Sequence, residues 1–384
     1  MPGTARQGPL KGIRVVEIAG IGPGPVCGML LADMGADVLL VERDVQSDTG
    51  IARPRRFEVA HRGKSSIALN LKSAEAKALA AALIDVADVV IEGFRPGTME
   101  RLGLGPDQCL ARNPRLVYGR MTGYGQTGPL AHAAGHDLNY ISLTGALHAI
   151  GRAGHPPTPP LNLIGDYAGG SMLLALGITS ALLERERSGR GQVIDAAMAE
   201  GAAILMAPFF GMYAAGLNNK PRGENLLDSG APFYDVYECA DGRYVAFGAI
   251  ERKFRQVFSE RTGFPLKVLL DGDDRSTWPA LRQSLSQFFL QKTRAAWCDL
   301  LEDQDACVTP VLAPTEVAGH RQNQSRQTFV DSNGMVQPSA APRFSRTPAG
   351  TQEEPPEPGS GGAARALAWG VDRERLLAAG ITTD

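Results

Sequence analysis

GIRVVEIAGIGPGPVCGMLLADMGADVLLVER, residues 12–43, decides the fold. Ile13, Val15, Val16 and Ile18 make Gly12–Ala19 a buried strand, and Gly20-Ile21-Gly22-Pro23-Gly24-Pro25 breaks it. Val26–Met34 then has helical spacing, with Pro25 suited to a first helical turn where its missing N–H costs nothing. Ala36–Arg43 is strand-like again, which completes a βαβ unit. The pattern continues outward. Ile67–Leu71 reads as strand, Ala74–Val86 as helix and Asp88–Glu92 as strand; a short helix begun by Pro106 precedes the strand Leu116–Arg120. Near-continuous apolar strands alternating with helices predict an α/β fold, with a Rossmann-like parallel sheet covered on both faces.

The middle of the chain turns helical over Asp137–Ala149 and Tyr167–Ser188, on either side of the proline-rich loop His155–Pro160, and Gln192–Ala197 adds a strand. From about Asn225 the texture changes: Tyr234–Cys239 and Arg243–Gly248 flank Ala-Asp-Gly as a hairpin. Helices follow at Glu251–Thr262, Trp278–Gln291 and Arg294–Leu301, then a strand at Cys307–Leu312. This divides the chain into a large domain over 1–224, a smaller α+β domain over 225–313, and a segment over 314–384 that returns to the large domain. Within the last, Gln337–Gly362 is rich in Pro, Gly and Ser and is expected to run extended before a final helix, Val371–Ala379.

A formal net charge of −2 over 384 residues argues against a nucleic-acid partner, which would need a basic footprint. No uninterrupted apolar run has membrane-spanning length, and Met-Pro-Gly-Thr-Ala-Arg opens without a signal-peptide core, so no membrane partner and a cytoplasmic location are expected. The five cysteines form no Cys-x-x-Cys pair and the six histidines are scattered, so neither a disulfide framework nor a metal is expected. Gly22, Gly24 and Gly28 after the first strand invite a dinucleotide reading, with Glu42 as ribose acceptor. Pro23 and Pro25, however, remove backbone donors where a pyrophosphate would need them. Arg43 suits instead a phosphate-bearing nucleotide at the sheet's carboxyl edge, with Arg62, Lys64, Lys72, Arg95 and Arg101 as further cations in that half.

Three polar groups stand in apolar or glycine-rich surroundings: His136-Asp137, Asn162 with Asp166, and Glu251. Taken singly, each acid could merely serve a helix N-terminus, and spacing does not show that the three meet. The residues alone support a two-domain α/β protein with an acid–base site.

The chain resembles the family III CoA-transferase fold and, within it, the α-methylacyl-CoA racemases, from about Leu10 to Arg346. The matching stretches include Val15–Pro25, Gly103-Leu104-Gly105-Pro106, Gly135–Tyr140, Pro160–Leu163, Gly189–Ala196, Ala231–Tyr234, Gly248–Glu251 and Asp305–Leu312. The resemblance implies an interlocked-ring homodimer with the site between large and small domains of different subunits. His136 and Asp166 match the two bases, Glu251 the carboxylate that orients the histidine, and Asn162 the amide beside the aspartate. Arg43 and Arg101 match residues that meet CoA phosphates; Ala68, Leu69, Asn70 and Leu71 match backbone lining the adenine. Gly135, Asp137, Leu138, Asn139 and Tyr140 match the thioester lining. The implied reaction is racemisation of 2-methylacyl-CoA thioesters by 1,1-proton transfer through an enolate, with no cofactor because coenzyme A is part of the substrate. Met198, Met206 and Met212 would offer the acyl chain a soft surface. The alternative is a CoA transferase with Asp137 as nucleophile and an acyl-anhydride intermediate; a third reading is a CoA-binding protein without catalysis. The chain departs from the family pattern in a longer segment at Asp44–His61, at Ser229 where glycine is typical, and around Gly359-Gly361-Gly362, which lacks an acidic–histidine pair.

Overall fold

The first six strands are β1 (Arg14–Ile18), β2 (Asp37–Glu42), β3 (Lys64–Ala68), β4 (Val89–Glu92), β5 (Val117–Thr122) and β6 (Val193–Ala197), with Val, Ile and Leu crowding β1, β2 and β4. A computed structural model describes residues 7–43, 51–350 and 353–383. The N-terminal hexapeptide and residues 44–50 of the expected long segment lie outside the described residues. The six strands are all parallel, in the order β3-β2-β1-β4-β5-β6, with Val15 opposite both Val38 and Val89. Alternation sends Val16, Leu39, Val41, Ile67, Val90 and Tyr118 to one face, under the helix Ala74–Asp85 and the C-terminal residues Trp369 and Leu376. Val15, Val38, Val89, Ile91 and Val117 point to the other, under Leu31, Leu174 and Ile178. Burial on both faces is what makes the strands read as unbroken apolar runs.

β3 begins at Lys64, three residues before the expected strand. Its polar residues are accommodated by partners: Lys64 pairs with Glu17 at 2.6 Å, both side chains inaccessible to solvent. The outer edge of β3 is covered by the tail, where Ser66 N–H donates to Ser360 O at 2.9 Å and Ser66 bridges to Gly361. The tail also forms a helix that sequence reading missed, Gly362–Ala368; a side chain at Gly362 would strike the Ser66 backbone at 2.3 Å. The last helix spans Arg373–Ala378.

The chain separates into two compact units, Met1–Thr144 with Leu161–Leu205 and Gln327–Asp384, and Gly145–Pro160 with Met206–Arg326. The breaks expected after 224 and 313 therefore fall elsewhere. The change of texture at Asn225 announces the second unit's sheet, whereas the apolar helix Ala207–Ala214 that precedes it gives no compositional cue. That sheet is antiparallel, β7 (Asp235–Glu238), β8 (Tyr244–Phe247) and β9 (Val308–Val311) in sequence order. Phe247, Phe258, Phe289 and Trp297 pack beneath it, with Phe247 and Phe258 centroids 4.6 Å apart. The first unit also holds the hairpin β10 (Phe329–Ser332) and β11 (Met335–Pro338), turned through Asn333 and Gly334 at φ 50 and 79. The expected helix Asp137–Ala149 is two pieces, Asp137–Ser142 and Ala146–Ala149, interrupted at Gly145 with φ 83.

Leu163–Ser188 is one continuous helical rod, π-helical over Leu163–Met172 and α-helical from Leu173. By length and composition it is the one helix among the described residues able to cross a membrane, which the reading of apolar runs did not register. Leu174, Ile178, Ala181 and Leu182 pack it into the sheet's second face.

Candidate active site

β1 and β4 are neighbours, and the sheet order reverses between them. The carboxyl ends of such strands open a crevice in which α/β proteins bind ligands. The loop leaving β1 carries Gly22 at φ 69, and a Cβ there would stand 3.1 Å from Asp166 Oδ2. Glycine is needed twice over, for the left-handed backbone and for the close carboxylate.

Asp166 sits on the π-helical segment, an i→i+5 winding that in proteins gathers at functional sites. Small residues let this segment press against its supports. A Cβ on Gly201, in the helix Met198–Leu205, would lie 1.9 Å from Gly169 O. Gly170 abuts Pro23 and Met198 in the same way. The fully buried Ser171 hydroxyl reaches both Pro23 O at 2.9 Å and Asp166 O at 3.0 Å. Gly201→Ala is therefore expected to destabilise the chain by ~1–3 kcal/mol through overpacking, read as a lowered urea midpoint with the slope unchanged.

Burial and three neighbouring groups set the proton affinity of Asp166. Burial, the largest effect, pushes its carboxyl above the usual range; Asn162 Nδ2, donating to Oδ2 at 2.9 Å, works downward. The charge of Asp137 pushes upward and His136 pulls down, with a net rise. A carboxyl so placed holds a proton more readily than one in water.

His136 precedes the helix Asp137–Ser142; its N–H donates to Asn139 Oδ1 at 3.1 Å and its imidazole is exposed in the single chain. Tyr140 turns inward: its hydroxyl donates to Gly135 O and its ring stands edge-on to Tyr124, centroids 5.0 Å apart. Burial, aided by the charges of Tyr124 and Asp166, pushes the Tyr140 phenol up to about 12, while Arg95 after β4 pulls it down. Gly135 is half-buried, and Leu138 and Asn139 remain exposed beside His136.

Asp137 does not cap its own helix. Its Oδ2 accepts N–H bonds from Gly165 at 2.7 Å and Asp166 at 2.8 Å, and the residue is 4% exposed. A carboxylate turned inward in this way is poorly placed to attack a thioester, which corrects the expectation of Asp137 as a transferase nucleophile. Met198 is likewise a core residue and cannot line an acyl path, whereas Met206 and Met212, in the second unit, are half-buried.

The expected nucleotide-binding residues lie at the ends of β2 and β3 and after β4. Arg43 is exposed; Leu69 is buried, with its N–H on Glu42 O at 2.8 Å, and Ala68 and Leu71 are half-buried. Asn70 is exposed, its Oδ1 accepting the Lys72 N–H at 3.1 Å, and Arg101 donates to Thr98 Oγ1 at 2.9 Å. Glu42 is already engaged by Arg55 at 2.7 Å and by Ser66, so a ribose acceptor at that position is occupied by protein. Arg62, bonded to Asp33, Gln337 and Pro338 O, and Lys64 are buried structural cations, not the anion-binding groups their sequence positions suggested. Glu251 lies in the second unit, exposed at the head of the helix Arg252–Thr262, on the strand-end loop whose Gly248 N–H donates to Cys307 O at 2.9 Å. The structure thus gathers His136, Asp137, Asn162 and Asp166 in the first unit. Gly22 and Ser171 also belong to this cluster, and sequence reading missed their part; a lone buried hydroxyl or turn glycine carries no periodic signal. No group of three His, Cys, Asp or Glu residues suited to a metal occurs among the described residues.

Residues 10–361 match the model of CoA-transferase family III. An alpha-methylacyl-CoA racemase of Mus musculus is 45% identical over 341 residues, 88% of this chain and 87% of that protein. The Homo sapiens protein of the same name is 43% identical over 343 residues, again covering 88% and 87%. Among solved structures, a CaiB/BaiF family protein from Brucella suis superposes with a TM-score of 0.80 at 26% identity, covering 95% of this chain and 100% of that one.

Proposed function

This chain belongs to CoA-transferase family III, and we propose that within the family it is a racemase of 2-methylacyl-CoA thioesters. The similarity to two racemases over most of both chains supports the reaction class. The observation that carries it is Asp166: a half-buried carboxyl beside His136, with its proton affinity raised by burial and by Asp137. An imidazole and a carboxyl of raised proton affinity suit a two-base exchange near neutral pH.

In this reading one base takes the α-proton from one face of the thioester as the C–H bond breaks. The electron pair moves into an enolate, and the protonated partner returns a proton to the opposite face. His136 and Asp166 exchange these parts with the configuration of the substrate. The N–H of Asp137, at a helix start, stabilises the enolate oxygen, and Asn162 holds the Asp166 carboxyl. Arg43 and Arg101 meet the CoA phosphates, Ala68–Leu71 line the adenine, and no cofactor takes part. Glu251 steadies the His136 imidazole from the small domain of a second subunit in an interlocked homodimer. That assembly would cover Leu143, Met172, Leu176 and Leu183, each about 60% exposed in the single chain.

The family's transferase chemistry is the second reading. Since Asp137 is turned inward, an anhydride would have to form on Asp166. Incubation of the protein with a 2-methylacyl-CoA in deuterium oxide separates the two. α-Deuteration with inversion, and no need for an acid acceptor, is expected; acyl exchange that requires an acceptor, without α-deuteration, would establish the transferase.

A further inference from the structure

We propose that the Asp137 side chain is a positioning residue for Asp166, capping the π-helical turn that carries it and placing a fixed negative charge behind it. This rests on the reading of Asp166 as one of the two bases. Asp137 follows His136 directly in the chain, yet its carboxylate holds the N–H groups of Gly165 and Asp166 at 2.7 and 2.8 Å. One side chain therefore ties the turn bearing the imidazole to the turn bearing the carboxyl, and so sets their separation.

Two further features mark the contact as built. Gly165 is the only residue type that leaves room for it, since a Cβ there would lie 2.8 Å from Asp137 Oδ2. The other carboxylate oxygen, Oδ1, is buried and has no hydrogen-bond partner among the described residues. A 4%-exposed carboxylate with one oxygen outside every hydrogen bond to the described residues carries a desolvation cost. The cost is explained if the charge itself is used. The groups that act on the Asp166 charge are Asp137 and His136, from the turn that begins the helix Asp137–Ser142, and Asn162 on its own segment. The adjoining helices Pro23–Asp33 and Met198–Leu205 contribute Cys27, Asp33 and Glu200. Cys27 responds to Glu17 and Lys64, Asp33 is engaged by Arg62, and Glu200 is exposed.

The test compares Asp137→Asn, Asp137→Ala and Gly165→Ala with Asp166→Asn, in the full-length protein with a 2-methylacyl-CoA. Asparagine keeps an acceptor for both N–H groups and removes the charge. Its kcat is expected within about tenfold of the parent, while the acid limb of kcat/KM moves to lower pH by roughly half to one unit, because a neighbouring negative charge no longer opposes ionisation. Asp137→Ala and Gly165→Ala disturb the cap itself and are expected to lower kcat by about 10–100-fold, with the calorimetric affinity for CoA unchanged. If Asp137→Ala fails to fold, Asp137→Asn and Gly165→Ala still decide. An acid limb that stays in place in the asparagine variant, or a Gly165→Ala enzyme with parental kcat, overturns the inference. A racemising Asp166→Asn enzyme instead overturns the two-base reading on which it stands; an inactive one with an unmoved limb in Asp137→Asn sinks only the role of Asp137.

Discussion

Asp166→Asn is expected to abolish most racemisation, lowering kcat by about 10²–10⁴-fold, with little change in affinity for CoA. The substitution is nearly isosteric: the Asn162 Nδ2 that now donates to Oδ2 at 2.9 Å can donate to an amide oxygen, so the turn keeps its shape. What is lost is the capacity to hold and release a proton. The opposite base is untouched, which makes a sharper prediction than rate alone. With His136 intact, one enantiomer should still exchange its α-hydrogen for deuterium and be returned with its configuration retained, while the other exchanges hardly at all. His136→Gln should show the same behaviour with the enantiomers interchanged. Chiral separation followed by mass spectrometry reads both. Equal loss of exchange for the two enantiomers, or inversion surviving either change, would dismiss the two-base assignment.

The fold was legible where burial is two-sided. β1, β2 and β4 are runs of Val, Ile and Leu because helices cover both faces, and pattern reading places them within two residues. β3 was misplaced because its first residues, Lys64 to Ser66, look like surface and are not: Lys64 is buried by its ion pair and Ser66 by the tail that lies along the edge. The β10–β11 hairpin turns on Asn333-Gly334, the strongest local hairpin signal a sequence offers, yet its short flanks hid it in the segment 314–384, read as a linker that returns to the large domain. At the site, the polar islands were legible as residue types in apolar surroundings. Their roles were not, because a carboxylate that caps a turn 28 residues away looks the same in sequence as one that caps its own helix. The π-helical winding was invisible for a related reason: the segment packs where Gly169 meets Gly201, a contact without local periodicity.

Beneath the loop that faces Asp166 lies the chain's most exacting polar contact, and removing one side of it should be the largest single loss of stability. Lys64 Nζ lies 2.6 Å from Glu17 Oε2 and also donates to Pro25 O at 2.9 Å, with both side chains fully buried. Burial pushes the Glu17 carboxyl up and the Lys64 ammonium down, and their mutual attraction opposes both shifts. Gly28 is required because a Cβ there would fall 1.8 Å from Glu17 Oε2. Lys64→Met strands a buried carboxylate and is expected to cost ~3–5 kcal/mol, as is Glu17→Met, which strands the ammonium. The double change to methionine leaves no unpaired charge and should recover most of that loss, as buried pairs exchanged for apolar residues commonly do. Urea melts of the four proteins form a double-mutant cycle, and a strong positive coupling is the expected result. Additive losses would mean that the pair is not the stabilising unit. Activity should not follow stability, because the methionine pair cannot hold Pro25 O, and Pro25 belongs to the turn whose Gly22 abuts Asp166. The double variant is thus expected to fold nearly as well as the parent and to turn over more slowly. That separation would assign the buried lysine to holding the catalytic loop, since a contribution to core stability alone would return together with the fold.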